Sequence, residues 1–165
     1  MEHIIYSHIA DHLERNNIFT ARQHGFRRSY SCKTPLVTTI DDWAKPIDKT
    51  QQTDVMALDF SKAFDVVAHQ RLLSKLSSCG IPGNVHTWVA NCLMNRQQRV
   101  VVNGEASGWV PVSSDAPQET VLCTLHFLIY INDITECISS EIRLFPVDCL
   151  LYRVMKSTRD CEILQ

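Results

Sequence analysis

The sequence predicts one α+β domain, and three observations predict it. Segments with apolar residues at helical spacing alternate with apolar runs too short to be helices, such as "TDVMALDF". An Asn103-Gly104 pair between two extended stretches signals a hairpin. The 165 residues, 45% of them hydrophobic, suffice for a real core, and no internal repeat, low-complexity tract or linker divides them.

The opening "EHIIYSHIADHLERNN" places Ile4, Ile5, Ile9 and Leu13 near one helical face, with Asn16-Asn17 as its stop. A second helix runs from Thr34 through Leu36, Val37, Ile40, Trp43 and Ala44, and Pro46 should end it near Lys45, because proline clashes with the preceding turn. Asp54 to Phe60 reads as a buried strand, being a short apolar run with polar bounds. Helical spacing returns through Val66, Leu72, Leu73 and Leu76 and closes at Gly80. A further helix covers Asn84 to Met94. The Asn103-Gly104 hairpin follows, then the loop "VSSDAPQET" and a long apolar helix from about Gln118 to Asp133. "EIRLFPVDCLLYRV" reads as a second hairpin with Pro146 to Asp148 at its tip, and "STRDCEILQ" starts a last helix.

Charge and cysteines narrow the function classes. Eighteen acidic against 16 basic residues, a net charge of −2, argue against a strongly basic nucleic-acid surface but leave room for a local patch. "ARQHGFRRSYSC" is such a patch, with Arg22, Arg27 and Arg28 beside Phe26 and Tyr30, as in single-strand grooves; a solvated basic loop reads the same way. Seven cysteines, odd in number and with no CxxC pair, read as reduced intracellular thiols, and no apolar run is long enough to span a membrane. His8 and His12 sit four apart, but the HExxH glutamate is absent and no third ligand is evident.

The residue that needs explaining is Asp148, a single carboxylate inside the apolar "RLFPVDCLLY". An aspartate there is ordinarily a turn former. Asp59, at the end of the first strand, offers a partner: if the two strands are neighbours, both carboxylates meet at one sheet edge and suit Mg²⁺, which prefers hard oxygen ligands.

"QHGFRRSYSC", "VMALDFSKAFDVVAHQRLLSKL", "QRVVVNG", "APQETVL", "FLIYINDI" and "RLFPVDCLLY" together resemble, in order and spacing, the reverse transcriptases of non-LTR, LINE-like retrotransposons related to jockey. The resemblance implies an RNA-directed DNA polymerase of right-hand shape, of which this chain supplies fingers (about 1–53) and a palm with an inserted hairpin (about 54–165). The palm sheet would be antiparallel, packed on helices and incomplete. By resemblance, Asp59 and Asp148 are catalytic and bind Mg²⁺ or Mn²⁺, with the Phe60 carbonyl as a further ligand. Phe64 resembles the aromatic steric gate against a ribose 2′-OH, and Pro117-Gln118 resemble the pair near the incoming nucleotide and template. Arg27 and Arg28 fall where triphosphate or template phosphates are held. Phe64 read alone also fits a core aromatic, and Gln118 a helix N-terminal residue. The implied partners are an RNA template, a DNA primer and deoxynucleotide triphosphates.

The departures point toward impaired catalysis. Where the family reads Phe-Ala-Asp-Asp, this chain has Phe145-Pro146-Val147-Asp148, so the first carboxylate is a valine. Asp115, Glu119 and Cys123 replace glycines that let backbone approach the substrate, and Cys123-Thr124 replaces a Gly-Pro. By the same resemblance, the expectation is a chain that stops before the family's next palm motif and the thumb and lacks an endonuclease domain. The expectation is therefore a degenerate polymerase fragment prone to self-association. An active nucleotidyltransferase and a noncatalytic RNA- or protein-binding module are the alternatives.

Overall fold

A computed structural model describes residues 1–27, 30–31, 33–116 and 120–164. The helices are α1 (Glu2–Arg15), α2 (Lys33–Ile47), α3 (His69–Ser78), α4 (Gly83–Leu93), α5 (Val121–Ile131) and α6 (Thr158–Leu164). The strands are β1 (Gln52–Asp59), β2 (Gln97–Gln98), β3 (Val101–Val102), β4 (Glu105–Ala106), β5 (Val110–Pro111), β6 (Glu141–Leu144) and β7 (Asp148–Met155), all paired antiparallel. The fold is α+β. Its residues gather into two compact units, one of Met1–Ile18 with Lys62–Ile131, the other of Phe19–Ser61 with Asn132–Gln165.

The first unit is built around α5, which is apolar on every side. Eight of its eleven residues are buried, and α1 and α3 pack against it while α4 packs on α3. Ile9 and Leu13 of α1, Leu72 and Leu76 of α3, and Val89 and Leu93 of α4 supply fully buried side chains. Ile4, expected on the buried face of α1, is exposed, because it lies one turn short of the covered stretch that Ile9 and Leu13 occupy. The helix expected to include Val66 begins only at His69: residues 61–66 are turns, and Val66 lies exposed outside the helix. The apolar helix starts at Val121 and passes into a 3₁₀ turn at Asn132–Thr135, shorter than the 118–133 read from the sequence.

The Asn103-Gly104 hairpin forms as expected between β3 and β4, with Asn103 at φ 52° and Gly104 at φ 88°. Positive φ at both central residues is the turn whose twist matches that of paired strands, and an Asn-Gly pair adopts it with little strain. β2 and β5 continue the ribbon toward its root.

In the second unit the sheet order is β1-β7-β6. Ile142, Leu144 and Cys149 form its buried cluster, against which Phe60, Ile134, Ile138 and Leu151 pack. β1 corrects the sequence reading: it starts at Gln52 and is largely exposed. It pairs with β7 alone, at the edge of the sheet, and α2 packs against it.

α2 departs from expectation twice. It runs on to Ile47 with Pro46 inside, because a missing N–H one residue from the end removes only a bond of the fraying last turn. The buried positions are Pro35, Thr39 and Pro46, while Leu36, Val37 and Ile40 face outward. Two stripes competed on this helix, and polar anchoring decided between them. The Asp42 carboxylate accepts hydrogen bonds from Tyr152 Oη (2.6 Å) and Arg143 Nη2 (2.9 Å). Trp43 meets the Tyr152 ring edge to face at 5.9 Å.

Candidate functional site

The β1–β7 register pairs Asp54 with Arg153, Val55 with Tyr152 and Leu58 with Cys149, and ends by pairing Asp59 directly with Asp148. Cross-strand partners share a face and successive residues alternate. Cys149 and Phe60 therefore turn into the buried cluster, and Asp59 and Asp148 project from the opposite face of the sheet end. Both are exposed. The Asp148 carboxyl is held above its ordinary range, first by loss of hydration, then by a hydrogen bond to Asp59 and by that neighbour's charge.

Main-chain bonds fix this rim. Phe60 N–H donates to the Val147 carbonyl (2.9 Å), extending the ladder one step past the aspartates. Phe145 N–H donates to the Asp148 carbonyl (2.8 Å) and closes the tip around Pro146-Val147. Gly25 lies against this tip so closely that an added Cβ would sit 2.6 Å from Pro146 N, so only glycine fits there. Leu144 anchors the same segment, donating to Arg22 O (2.9 Å) and accepting from His24 N–H (3.2 Å).

The other sequence-predicted residues are distributed as follows. The Arg27 guanidinium lies 4.0 Å from the Tyr30 ring centroid and 5.2 Å from that of Phe19, and Nη1 donates to the Thr20 and Gln23 carbonyls at 3.1 Å each. The basic segment is thus organised by its own aromatic rings and backbone. Phe64, in the first unit, is half-buried and tilts against Phe127 at 5.2 Å, so it takes part in core packing. Arg28 and Gln118 lie outside the described residues, as do Pro117 and Glu119. His12 Nε2 hydrogen-bonds the Cys79 carbonyl at 2.9 Å. Among the described residues six cysteines are free, and no group of three or more His, Cys, Asp or Glu could hold a metal ion.

Asp115, at a position the sequence singled out, stands at φ 132°, where L side chains are rare. It is pinned on several sides. Its N–H donates to Val67 O (3.0 Å), its carbonyl accepts from His69 Nε2 (2.9 Å), and its carboxylate meets Arg96 Nη1 at 3.2 Å. Sequence reasoning missed the Asp42–Arg143–Tyr152 network that ties α2 to the strands bearing the aspartate hairpin. Burial and the bond to Asp42 push the Tyr152 hydroxyl up. The available signal was Arg143 between the apolar Ile142 and Leu144, since a charge in such a strand needs a partner.

The profile of the reverse transcriptase (RNA-dependent DNA polymerase) family matches residues 1–155. The chain belongs to that family. No curated protein sequence matches it. For a reverse transcriptase, whose substrates are nucleic acids, the Asp59–Asp148 rim is the place to ask what metal the residues fit. The two carboxylates are adjacent, exposed hard-oxygen donors in mutual repulsion, which suits one divalent ion. With Val147 beside them and no third acidic or histidine ligand in reach among the described residues, they do not furnish a two-ion set. The reverse transcriptase domain has, among its described residues, no helix long and apolar enough to cross a membrane.

Proposed function

We propose that this reverse transcriptase domain is the fingers and palm portion of a non-LTR, jockey-related retroelement enzyme whose polymerase chemistry is impaired at the hairpin tip. The observation that carries the reading is the register pairing of Asp59 with Asp148 while Val147 occupies the neighbouring tip position. Asp59, Asp148 and the Phe60 carbonyl would hold one Mg²⁺ or Mn²⁺. A bound ion would supply positive charge against the phosphates of a deoxynucleotide triphosphate. Phe64 would exclude a ribose 2′-OH by occupying its space, Gln118 would lie by the nucleotide and template, and Arg27 and Arg28 would meet phosphates. With a side chain at Asp115 in place of glycine, the loop before α5 is less able to bring backbone close to a substrate.

Primer extension on an RNA template with Mg²⁺ or Mn²⁺, run on the natural chain and on Val147→Asp, tests this. The natural chain should extend poorly. Val147→Asp should tighten divalent-ion binding at least about tenfold, about 1.4 kcal/mol, while restoring synthesis far less, since substrate positioning in the altered loop stays imperfect. Robust extension by the natural chain would establish the rival reading, an active nucleotidyltransferase. Metal-independent, salt-sensitive RNA retention without extension would mark a noncatalytic binding module.

A further inference from the structure

The ribbon of residues 95–112 is the most open part of the first unit. Every residue from Gln97 to Pro111 is exposed, including Val100, Val101, Val102, Trp109 and Val110. A two-stranded ribbon with no apolar cover is marginal alone and spends its apolar side chains on solvent. At its centre the Arg99 guanidinium lies 4.6 Å from the Trp109 ring centroid, and Trp109 is 59% exposed. Arg99 has no carboxylate partner among the described residues, whereas Arg96 at the ribbon's root is paired with Asp115. The acid of the hairpin, Glu105, sits at its tip opposite Val102 and is not ion-paired with Arg99. The Arg99–Trp109 pair therefore combines an open aromatic surface with an unneutralised cation.

We propose that the Arg99–Trp109 face binds single-stranded RNA, one unpaired base stacking on Trp109 while Arg99 meets the adjoining phosphate. The inference rests on the chain's working on an RNA strand, and it assigns a contact to residues other than the carboxylate pair. Stacking is the chemistry that fits. A flat indole with no hydrogen-bonding groove around it accepts any base, and the cation matches the phosphate that follows that base. A protein partner would cover the valines on both faces of the ribbon and would need no unpaired cation beside the indole.

The test is fluorescence anisotropy of a labelled oligouridine RNA on the full chain, in chelator so that the carboxylate rim plays no part. Trp109→Ala should weaken binding roughly 5- to 150-fold, and Trp109→Phe should retain most of it. Arg99→Ala should shallow the slope of log affinity against log salt by about 0.7, as one lost phosphate contact requires on a single strand. Val102→Thr, equally exposed beside the hairpin tip, should bind as the natural chain does, and circular dichroism checks that each variant folds. Natural-strength binding by both Trp109→Ala and Arg99→Ala overturns the inference and leaves the proposed function standing. No RNA binding by the natural chain overturns it too, while metal binding at Asp59 and Asp148 is scored separately. Unchanged RNA binding with loss of self-association in sedimentation would assign the face to a second copy instead. DNA of the same length binding equally well, with Trp109→Ala equally damaging, would overturn the choice of RNA.

Discussion

α5 and β1 look alike as sequence and end in opposite environments. "VLCTLHFLIYI" and "VMAL" are both apolar runs with polar bounds, yet α5 is buried nearly all round and β1 is mostly open. The difference lies in what covers them. α1 and α3 both pack on α5, while β1 lies at a sheet edge with one hydrogen-bonded neighbour, β7, and α2 packed against it. Apolarity states what a segment would gain from burial; topology states whether a partner is there.

The largest effect expected from this contrast is in α5. Leu128 is fully buried, and Leu128→Ala should cost about 2–5 kcal/mol in urea unfolding, the range for a leucine-sized cavity. A cost under about 1 kcal/mol would mean that the core around α5 collapses to fill the space.

The next effect comes from a polar group inside that same core. His126 is 2% exposed, and neither ring nitrogen has a hydrogen-bond partner among the described residues. Burial first, and the nearby His69 second, hold its imidazole down to about 4 against an ordinary 6.5. The unfolded chain therefore binds the extra proton first. Stability attributable to His126 is fully present above pH 6.5 and is lost as pH falls toward 4, by roughly 3 kcal/mol over that span. His126→Leu should remove this component of the pH dependence and stabilise the chain near neutrality. Urea midpoints for both proteins between pH 7.5 and 4.5 decide it, and parallel curves would contradict the buried, neutral imidazole.

The smallest effect belongs to β1. Leu58 is 43% exposed, so Leu58→Ser should cost about 1 kcal/mol, well below the cost in α5. A loss of several kcal/mol would mean that this strand is covered after all, and the contrast with α5 would fail.

The same contrast explains what the sequence disclosed. Local signals carried through wherever one residue's own geometry decides: the Asn103-Gly104 turn, the helix stop at Asn16-Asn17, the hairpin closing at Pro146-Val147. The pairing of β1 with β7, and with it the meeting of Asp59 and Asp148, was legible because each aspartate sits at the end of a recognisable strand. Exposure was not legible. The Leu36–Val37–Ile40 stripe has the stronger apolar signal on α2, but the face that packs is chosen by Asp42, whose partners Arg143 and Tyr152 lie 101 and 110 residues away. Nor does periodicity reveal that Arg27 is tied to carbonyls within seven residues of it, or that Asp115 bends into positive φ.

The bond from Phe60 N–H to the Val147 carbonyl runs from main chain to main chain, so it forms with any L-residue other than proline at 60 and any residue at 147 that the tip tolerates. The side chain at 147 can therefore change without breaking the bond that holds this rim of the sheet. Valine and aspartate codons can differ by a single second-position base, so one residue can be a single step from the other. A sheet held by main chain presents whichever side chain that position carries, and a change there is read by what meets the tip rather than by the fold.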